Sequence, residues 1–131
     1  YINRMIQILK IIFYTSLLLL IIISLYPGSL IGLLMYEDLG RQPILIKTSF
    51  GSTINHFLTY FYVGLLGFFT YIKKKNFKSV MIVLVFLSVS LEFLQLFVPK
   101  RSFEFNDIAA NILGLFVAYL TIKIYLLIKK L

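Results

Sequence analysis

Several residue types are scarce in this chain of 131 residues, which has no cysteine, one histidine and three prolines. Without cysteine, the chain forms no disulfide framework and no thiolate metal site. With one histidine, a metal site would need mixed ligands, and we predict neither a metal nor a cofactor. Acidic residues are also few, since five Asp and Glu stand against thirteen Lys and Arg and give a formal net charge of +8.

Apolar residues, in contrast, make up 60% of the chain, whereas a soluble domain is closer to half apolar. The excess is expected to face lipid. Four apolar stretches approach the ~20 residues that cross a ~30 Å hydrocarbon core as a helix, and helices satisfy their own backbone groups in lipid. We therefore predict one all-α domain over residues 1–131, an integral membrane bundle of four transmembrane helices at about 5–26, 51–72, 79–98 and 108–128.

The first apolar stretch follows Arg4 and Lys10, much as the apolar region of a signal peptide follows its basic segment. The sequence after it, YPGSLIG, has no small-residue cleavage pattern. We therefore predict that this stretch is a retained membrane helix rather than a signal peptide.

The basic residues predict the orientation of the helices. Nine of the thirteen lie in the N-terminal flank, the KKKNFK connection and the C-terminal end, which four helices would place on one side. The positive-inside rule makes that side cytoplasmic, so both termini are predicted to be cytoplasmic. KKKNFK is interpreted as a topology signal, and no nucleic-acid partner is expected despite the positive charge.

The first outer connection, residues 27–50, contains the apolar segment SLIGLLMY. This segment is too short to span a bilayer, but its apolar face suits an interfacial or re-entrant position. That face would consist of Leu30, Ile31, Leu33 and Leu34. The alternative is an ordinary loop that touches the outer leaflet.

Charged and amide side chains gather in the stretch SLEFLQLFVPKRSFEFNDIAANILG, residues 90–114. Residues three or four apart on a helix share a face, which joins Glu92 to Gln95 and Asp107 to Asn111. The predicted topology places both pairs, and the polar start of the second helix, near the outer leaflet. We predict a ligand-binding outer pocket formed by His56, Glu92, Gln95, Arg101, Asp107 and Asn111.

Other roles for these residues stay open. A carboxylate inside a span costs about 2.5–3.5 kcal/mol on insertion scales, so Glu92 needs a partner, for which Arg101 and His56 are the best candidates. Asp107 is also placed to cap the last helix, and Gln95 and Asn111 are equally suited to interhelical hydrogen bonds. His56, Glu92 and Asp107 are metal-ligand types, but their spacing does not support a metal site.

Small residues predict where helices approach closely. Gly64, Gly114 and Ala118 lie on the polar faces of the second and fourth predicted helices, where they permit close helix contact. The same small residues leave room for a homo-oligomer without requiring one.

The order EFLQLF, VPKR and FNDIAANILG resembles the signature of VanZ-like membrane proteins, and NHFLTYFYVGLLGF resembles their second-helix motif. The resemblance covers about residues 51–118. Where the family often has an Asp-Lys pair before the histidine, this chain has Ser52 and Thr53. The resemblance implies a small multi-pass protein of the bacterial cytoplasmic membrane, in a family whose namesake is linked to resistance to the glycopeptide teicoplanin.

Three functions are consistent with these features. The first is a non-enzymatic protein whose outer pocket binds a membrane lipid, a lipid-linked cell-wall precursor or a glycopeptide, with Arg101 holding an anionic group. The second is a membrane-embedded enzyme in which His56 or Glu92 is the general base. The third is a structural subunit whose polar residues only set the helix register. The absence of a nucleophile motif favours the first over the second.

Overall fold

The computed structural model describes residues 2–44, 51–72 and 77–129. Within these ranges the chain is all α-helical, with a 3-10 turn at Gln95–Phe97 and no strand. Lysines 73–75 of the predicted topology signal, together with Lys47 and Lys130, lie outside the described residues. The helices are α1 (Ile2–Leu25), α2 (Leu30–Tyr36), α3 (Gly51–Thr70), α4 (Phe77–Leu94) and α5 (Phe105–Ile128).

The four predicted long helices are present as α1, α3, α4 and α5, close to their predicted boundaries. Within the described parts of the chain, however, three helices are long and apolar enough to cross a membrane, namely Arg4–Leu25, Phe77–Phe97 and Phe105–Ile128. The prediction of four such helices is wrong for α3. The reason is its first half, GSTINHFLTY, whose polar side chains lower the hydropathy of the helix.

Helix α3 has a central position in the bundle, where it packs against α5, α1 and α4. This position shields its polar side chains from lipid. Its residues Tyr60 and Val63 join a core with Phe13 of α1, Leu84 of α4 and Leu115 of α5. The outer faces of α1, α4 and α5 instead expose many large apolar side chains, as a lipid-facing surface requires. The least apolar long helix is therefore the one that the others shield.

The contact between α3 and α5 is the closest in the bundle and depends on small residues. A Cβ atom on Gly114 would lie 2.5 Å from the Phe57 carbonyl oxygen, and one on Gly64 would lie 2.9 Å from the Ala118 Cβ. The predicted close approach through Gly64, Gly114 and Ala118 is thus confirmed. It brings the polar start of α3 beside the polar start of α5.

The segment expected to be interfacial or a loop forms the short helix α2. Its first turn is capped by Ser29, whose Oγ accepts a hydrogen bond from the Gly32 N–H at 2.9 Å, and it ends at Glu37 in a left-handed conformation (φ 54°). Leu33 and Leu34 are exposed, as the predicted apolar face requires. Its contact with a membrane stays a prediction.

Successive long helices run in alternating directions, so the bundle has two distinct ends. The end formed by the last turns of α1 and α4 and the first turns of α3 and α5 is called the cavity end below. The other end, where the Tyr14 and Tyr71 hydroxyl groups lie 2.5 Å apart, is called the opposite end. Every residue of the predicted pocket lies at the cavity end.

Candidate ligand-binding cavity

A cavity of about 120 Å³ lies at the cavity end between α1, α2, α3 and α4. Apolar side chains from α1 and α4 form part of the wall, and polar side chains form much of the rest. The polar lining consists of Ser24, Ser29, Gln42, Ser52, Asn55, His56, Thr59, Tyr60, Glu92, Gln95 and Arg101.

Three buried polar side chains on the cavity wall have unused hydrogen-bonding capacity. Glu92, Tyr60 and Gln95 are 1%, 3% and 4% exposed. The Gln95 amide and the Tyr60 hydroxyl make no hydrogen bond to any residue that the structure describes. Glu92 accepts one long bond, from the Glu104 backbone N–H at 3.5 Å. Because buried polar groups in proteins nearly always have partners, these three indicate a place for a polar ligand or water.

His56 contacts two residues of α5, which lie on the side of the imidazole ring away from the cavity. Its Nε2 lies 3.5 Å from Asp107 Oδ2, and its Nδ1 lies 3.2 Å from Asn111 Oδ1. Two arrangements satisfy the ring: a doubly protonated imidazole, or a neutral one with the Asn111 amide turned to donate to Nδ1. In both arrangements, both ring nitrogens are occupied. His56 therefore has no nitrogen left to take a proton from a molecule in the cavity.

Arg101 connects the loop after α4 to the end of α1. Its Nη2 donates to the Ile23 carbonyl oxygen at 2.6 Å, and its Nε donates to the Tyr26 carbonyl oxygen at 3.3 Å. The last carbonyl groups of a helix lack intrahelical partners, so Arg101 stabilises the C-terminus of α1. Burial lowers the pKa of Arg101, while nearby Glu92 acts to raise it. The guanidinium nevertheless stays charged, because arginine does not lose its proton in proteins.

The predicted partners of Glu92 are wrong as direct contacts. Among the described residues, Glu92 forms no salt bridge with Arg101 or His56, since Arg101 reaches the α1 carbonyl groups and His56 pairs with Asp107. The carboxylate instead accepts from the backbone of Glu104. The helical period alone does not determine how far the loop after α4 folds back.

The predicted capping role of Asp107 is also wrong, because α5 begins earlier than expected. Glu104 is the N-cap residue and makes no side-chain capping bond. Asp107 therefore lies inside the first turn, where its charge still favours the helix N-terminus. Its carboxylate is turned toward His56.

The six predicted pocket residues thus divide into two groups. His56, Glu92, Gln95 and Arg101 line the cavity, whereas Asp107 and Asn111 lie behind His56 and do not. No group of three or more metal-ligating His, Asp or Glu side chains occurs in the part of the chain that the structure describes.

Seven polar residues of the cavity wall lie outside the predicted pocket, among them Tyr60 and Asn55. Tyr60 lies four residues after His56 on α3, a spacing that places both on one face. Asn55 lies on the cavity wall, where its Nδ2 donates to the Pro43 carbonyl oxygen at 2.6 Å. That bond fixes the segment after α2, which contains Pro43, against the cavity wall. The spacing was a usable signal for Tyr60, but no sequence signal pointed to the contact with Pro43.

Comparison with known proteins supports the resemblance seen in the sequence. A sequence model of the VanZ/LLP1 family matches residues 6–127, which extends the resemblance from α3–α5 to α1 and α2. No curated protein and no solved structure matches the chain. Because the match covers nearly the whole bundle, including every residue of the cavity, the chain belongs to the VanZ/LLP1 family.

Proposed function

We propose that this protein binds the polar headgroup of a cell-envelope amphiphile in the cavity. The observation that carries this proposal is the set of buried cavity residues Tyr60, Glu92 and Gln95, whose polar atoms have unused hydrogen-bonding capacity. A bundle gains nothing from burying such groups unless something else satisfies them. The apolar faces beside the cavity offer a surface for the lipid tail of the same molecule.

The proposal includes a location in the bacterial cytoplasmic membrane, with several passes. It also includes both termini in the cytoplasm, which requires α3 to cross the membrane in the shelter of the three apolar helices. The cavity then lies at the outer leaflet, where a membrane lipid, a lipid-linked cell-wall precursor or a glycopeptide such as teicoplanin is accessible. The orientation is testable because the chain lacks cysteine. Single cysteines placed at the exposed residues Ser102 and Lys129 should react with an impermeant thiol reagent on intact cells only at Ser102.

An enzyme acting on the same lipid is the weaker alternative. Both nitrogens of His56 are engaged by Asp107 and Asn111, which removes one of the two candidate general bases and leaves Glu92. A purely structural role explains Arg101, which caps α1, and His56, which joins α3 to α5. It does not explain Gln95, whose buried amide has no partner among the described residues.

The first experiment is native mass spectrometry of the protein extracted with its lipids, comparing the wild type with Gln95→Met. Methionine keeps the length of glutamine but removes its polar atoms, and the fold loses no hydrogen bond. Gln7→Met, the same change at an exposed site on α1, is the control. Arg101→Ala is less suitable because it also removes the cap of α1.

We expect a co-purifying amphiphile in the wild type and in Gln7→Met and its loss in Gln95→Met, with equal thermal stability of all three. Equal occupancy in Gln95→Met, or no bound amphiphile in any sample, would contradict the proposal. A role in glycopeptide resistance is checked separately, by the teicoplanin susceptibility of a bacterium that expresses the wild type or Gln95→Met. The wild type alone should lower susceptibility.

A further inference from the structure

We infer that the cavity selects an uncharged polyol headgroup, one with neighbouring hydroxyl groups as in glycerol or a single sugar ring, over a phosphate. This inference rests on the proposed function and specifies its ligand. It follows from a count of the donors and acceptors that remain available on the cavity wall.

Several nitrogen donors that would suit a phosphate are engaged within the protein. Arg101 donates Nε and Nη2 to carbonyl groups of α1, and Asn55 donates its Nδ2 to Pro43. The Nε2 of His56 faces Asp107. A phosphate accepts hydrogen bonds and carries negative charge, so it needs several free donors together. The described wall keeps other donors, namely the remaining N–H groups of Arg101 and side-chain hydroxyl and amide groups, but the hydroxyl and amide groups are uncharged, and Arg101 is the one Lys or Arg among the described lining residues.

Glu92 also disfavours an anion. In its charged form the carboxylate repels a phosphate and competes with it for the positive charge of Arg101. In its protonated form it supplies a single donor and no positive charge. Because Glu92 is 1% exposed, water does not screen its interaction with a bound headgroup as it would at a surface.

The groups that remain available match hydroxyl groups. The Gln95 amide and the Tyr60 hydroxyl each both donate and accept, and Glu92 adds an acceptor. A hydroxyl group also donates and accepts, so neighbouring hydroxyls satisfy this mixture where a phosphate does not. The volume of about 120 Å³ suits a group of this size, and Leu20 and Leu91 on the wall face its C–H groups.

The test uses the purified full chain with three lipids of identical acyl chains: monoglucosyl-diacylglycerol, phosphatidylglycerol and phosphatidic acid. Native mass spectrometry at equal lipid concentrations gives the relative occupancy of each. We expect the uncharged sugar lipid to exceed phosphatidic acid by about tenfold, as one or two additional hydrogen bonds would give, and to exceed phosphatidylglycerol, whose glycerol is linked through a charged phosphate. Comparing phosphatidylglycerol with phosphatidic acid, which both contain phosphate, shows the separate effect of the added glycerol hydroxyl groups.

Two variants locate the binding. Gln95→Met and Tyr60→Phe should each lower the occupancy by the preferred polyol lipid about fivefold to tenfold, because each removes polar contacts. Tyr62→Phe, which removes a hydroxyl from an exposed position on the same helix, should leave occupancy unchanged. Two different substitutions keep the result interpretable if one of them folds poorly.

Other outcomes separate the inference from the proposed function. Preferred binding of either phospholipid over the sugar lipid that is lost in Gln95→Met would overturn the polyol inference while supporting a ligand in the cavity. Binding that neither variant reduces, or no saturable binding of any lipid, would overturn both.

Discussion

The two ends of the bundle handle polar and aromatic side chains differently. At the opposite end, Phe68 is fully buried and lies against Phe77 and Tyr119, with ring centroids 5.3 and 5.7 Å away. The Lys123 ammonium lies 5.5 Å from the Tyr119 ring centroid. The hydroxyl groups of Tyr14 and Tyr71 share a hydrogen bond at this end.

The cavity end buries polar atoms instead, and some of them lack partners. Asn55 Oδ1, Asp107 Oδ1 and Asn111 Nδ2 are buried without a hydrogen bond, in addition to the unused groups of Gln95 and Tyr60. Each of the three fully buried atoms, Asn55 Oδ1, Asp107 Oδ1 and Asn111 Nδ2, costs about 1–3 kcal/mol when it is left unsatisfied. The opposite end is thus stabilised by packed aromatic side chains. The cavity end contains unsatisfied polar atoms that lower the stability of the fold, as functional sites commonly do.

The largest expected effect tests the contact that positions the cavity end. Gly114→Ala places a Cβ 2.5 Å from the Phe57 carbonyl oxygen, which belongs to backbone and cannot move alone. Gly67→Ala, toward the opposite end, meets the Phe13 ring at 2.8 Å, and a ring can turn. Helix propensity favours alanine equally at both positions. We expect Gly114→Ala to lower the free energy of unfolding by about 3 kcal/mol and Gly67→Ala by about 1.

Thermal or denaturant unfolding in detergent, followed by circular dichroism, measures this difference. Equal effects of the two substitutions would contradict the view that α3 and α5 are fixed backbone to backbone at Gly114.

The next effect concerns the attachment of α3 to α5 through His56. His56→Ala should lower the free energy of unfolding by about 2 kcal/mol, because Asp107 and Asn111 lose their partner in a buried setting. Thr59→Ala, at an exposed position on the same helix, is the control and should change it by less than about 0.5 kcal/mol. The measurement is the same unfolding experiment.

A double-mutant cycle between His56→Ala and Asp107→Asn gives the coupling directly. We expect about 1 kcal/mol of coupling energy. Strictly additive effects would show that the 3.5 Å contact contributes nothing to stability.

Arg101 provides a smaller and more specific test of the cavity end. Arg101→Lys keeps the charge but loses the two-point contact with the carbonyl groups of Ile23 and Tyr26, so it should cost about 1 kcal/mol. Lys100→Arg, the reverse change at the exposed neighbour, should be neutral. Hydrogen exchange of the last turn of α1 should rise in Arg101→Lys alone. Unchanged exchange there would argue against the cap.

The smallest effect is expected at the opposite end. Lys123→Met keeps most of the aliphatic chain but removes the ammonium near the Phe77 and Tyr119 rings, which is worth about 0.5 kcal/mol at an exposed site. Lys78→Met, also exposed, controls for the loss of one positive charge. If Lys123→Met destabilised the protein as much as His56→Ala, the two ends would not differ as described.

The sequence predicted the long helices well, because runs of about twenty apolar residues have few alternative structures. It also predicted the contact of Gly64, Gly114 and Ala118, since small residues on a shared face permit close approach. It overestimated the apolar character of α3, because the prediction weighted the apolar second half of that helix. The polar first half becomes understandable only from the central position of α3.

The sequence predicted which residues form the site better than it predicted the contacts between them. Helical spacing identifies which side chains share a face, but it does not give the rotation of one helix against another. The pairing of His56 with Asp107 depends on that rotation. The reach of Arg101 to α1 crosses more than seventy residues of sequence and depends on the path of a loop, which no local pattern encodes.

The shielded position of α3 has a consequence for biogenesis. A helix with Asn55 and His56 in its first half partitions into lipid from a translocon less readily than the three apolar helices do. Since α5 covers α3 along a backbone contact at Gly114 and is made last, insertion of α3 should be completed only after synthesis of α5. Ribosome-bound chains truncated before α5 should therefore leave α3 at the membrane surface or poorly inserted.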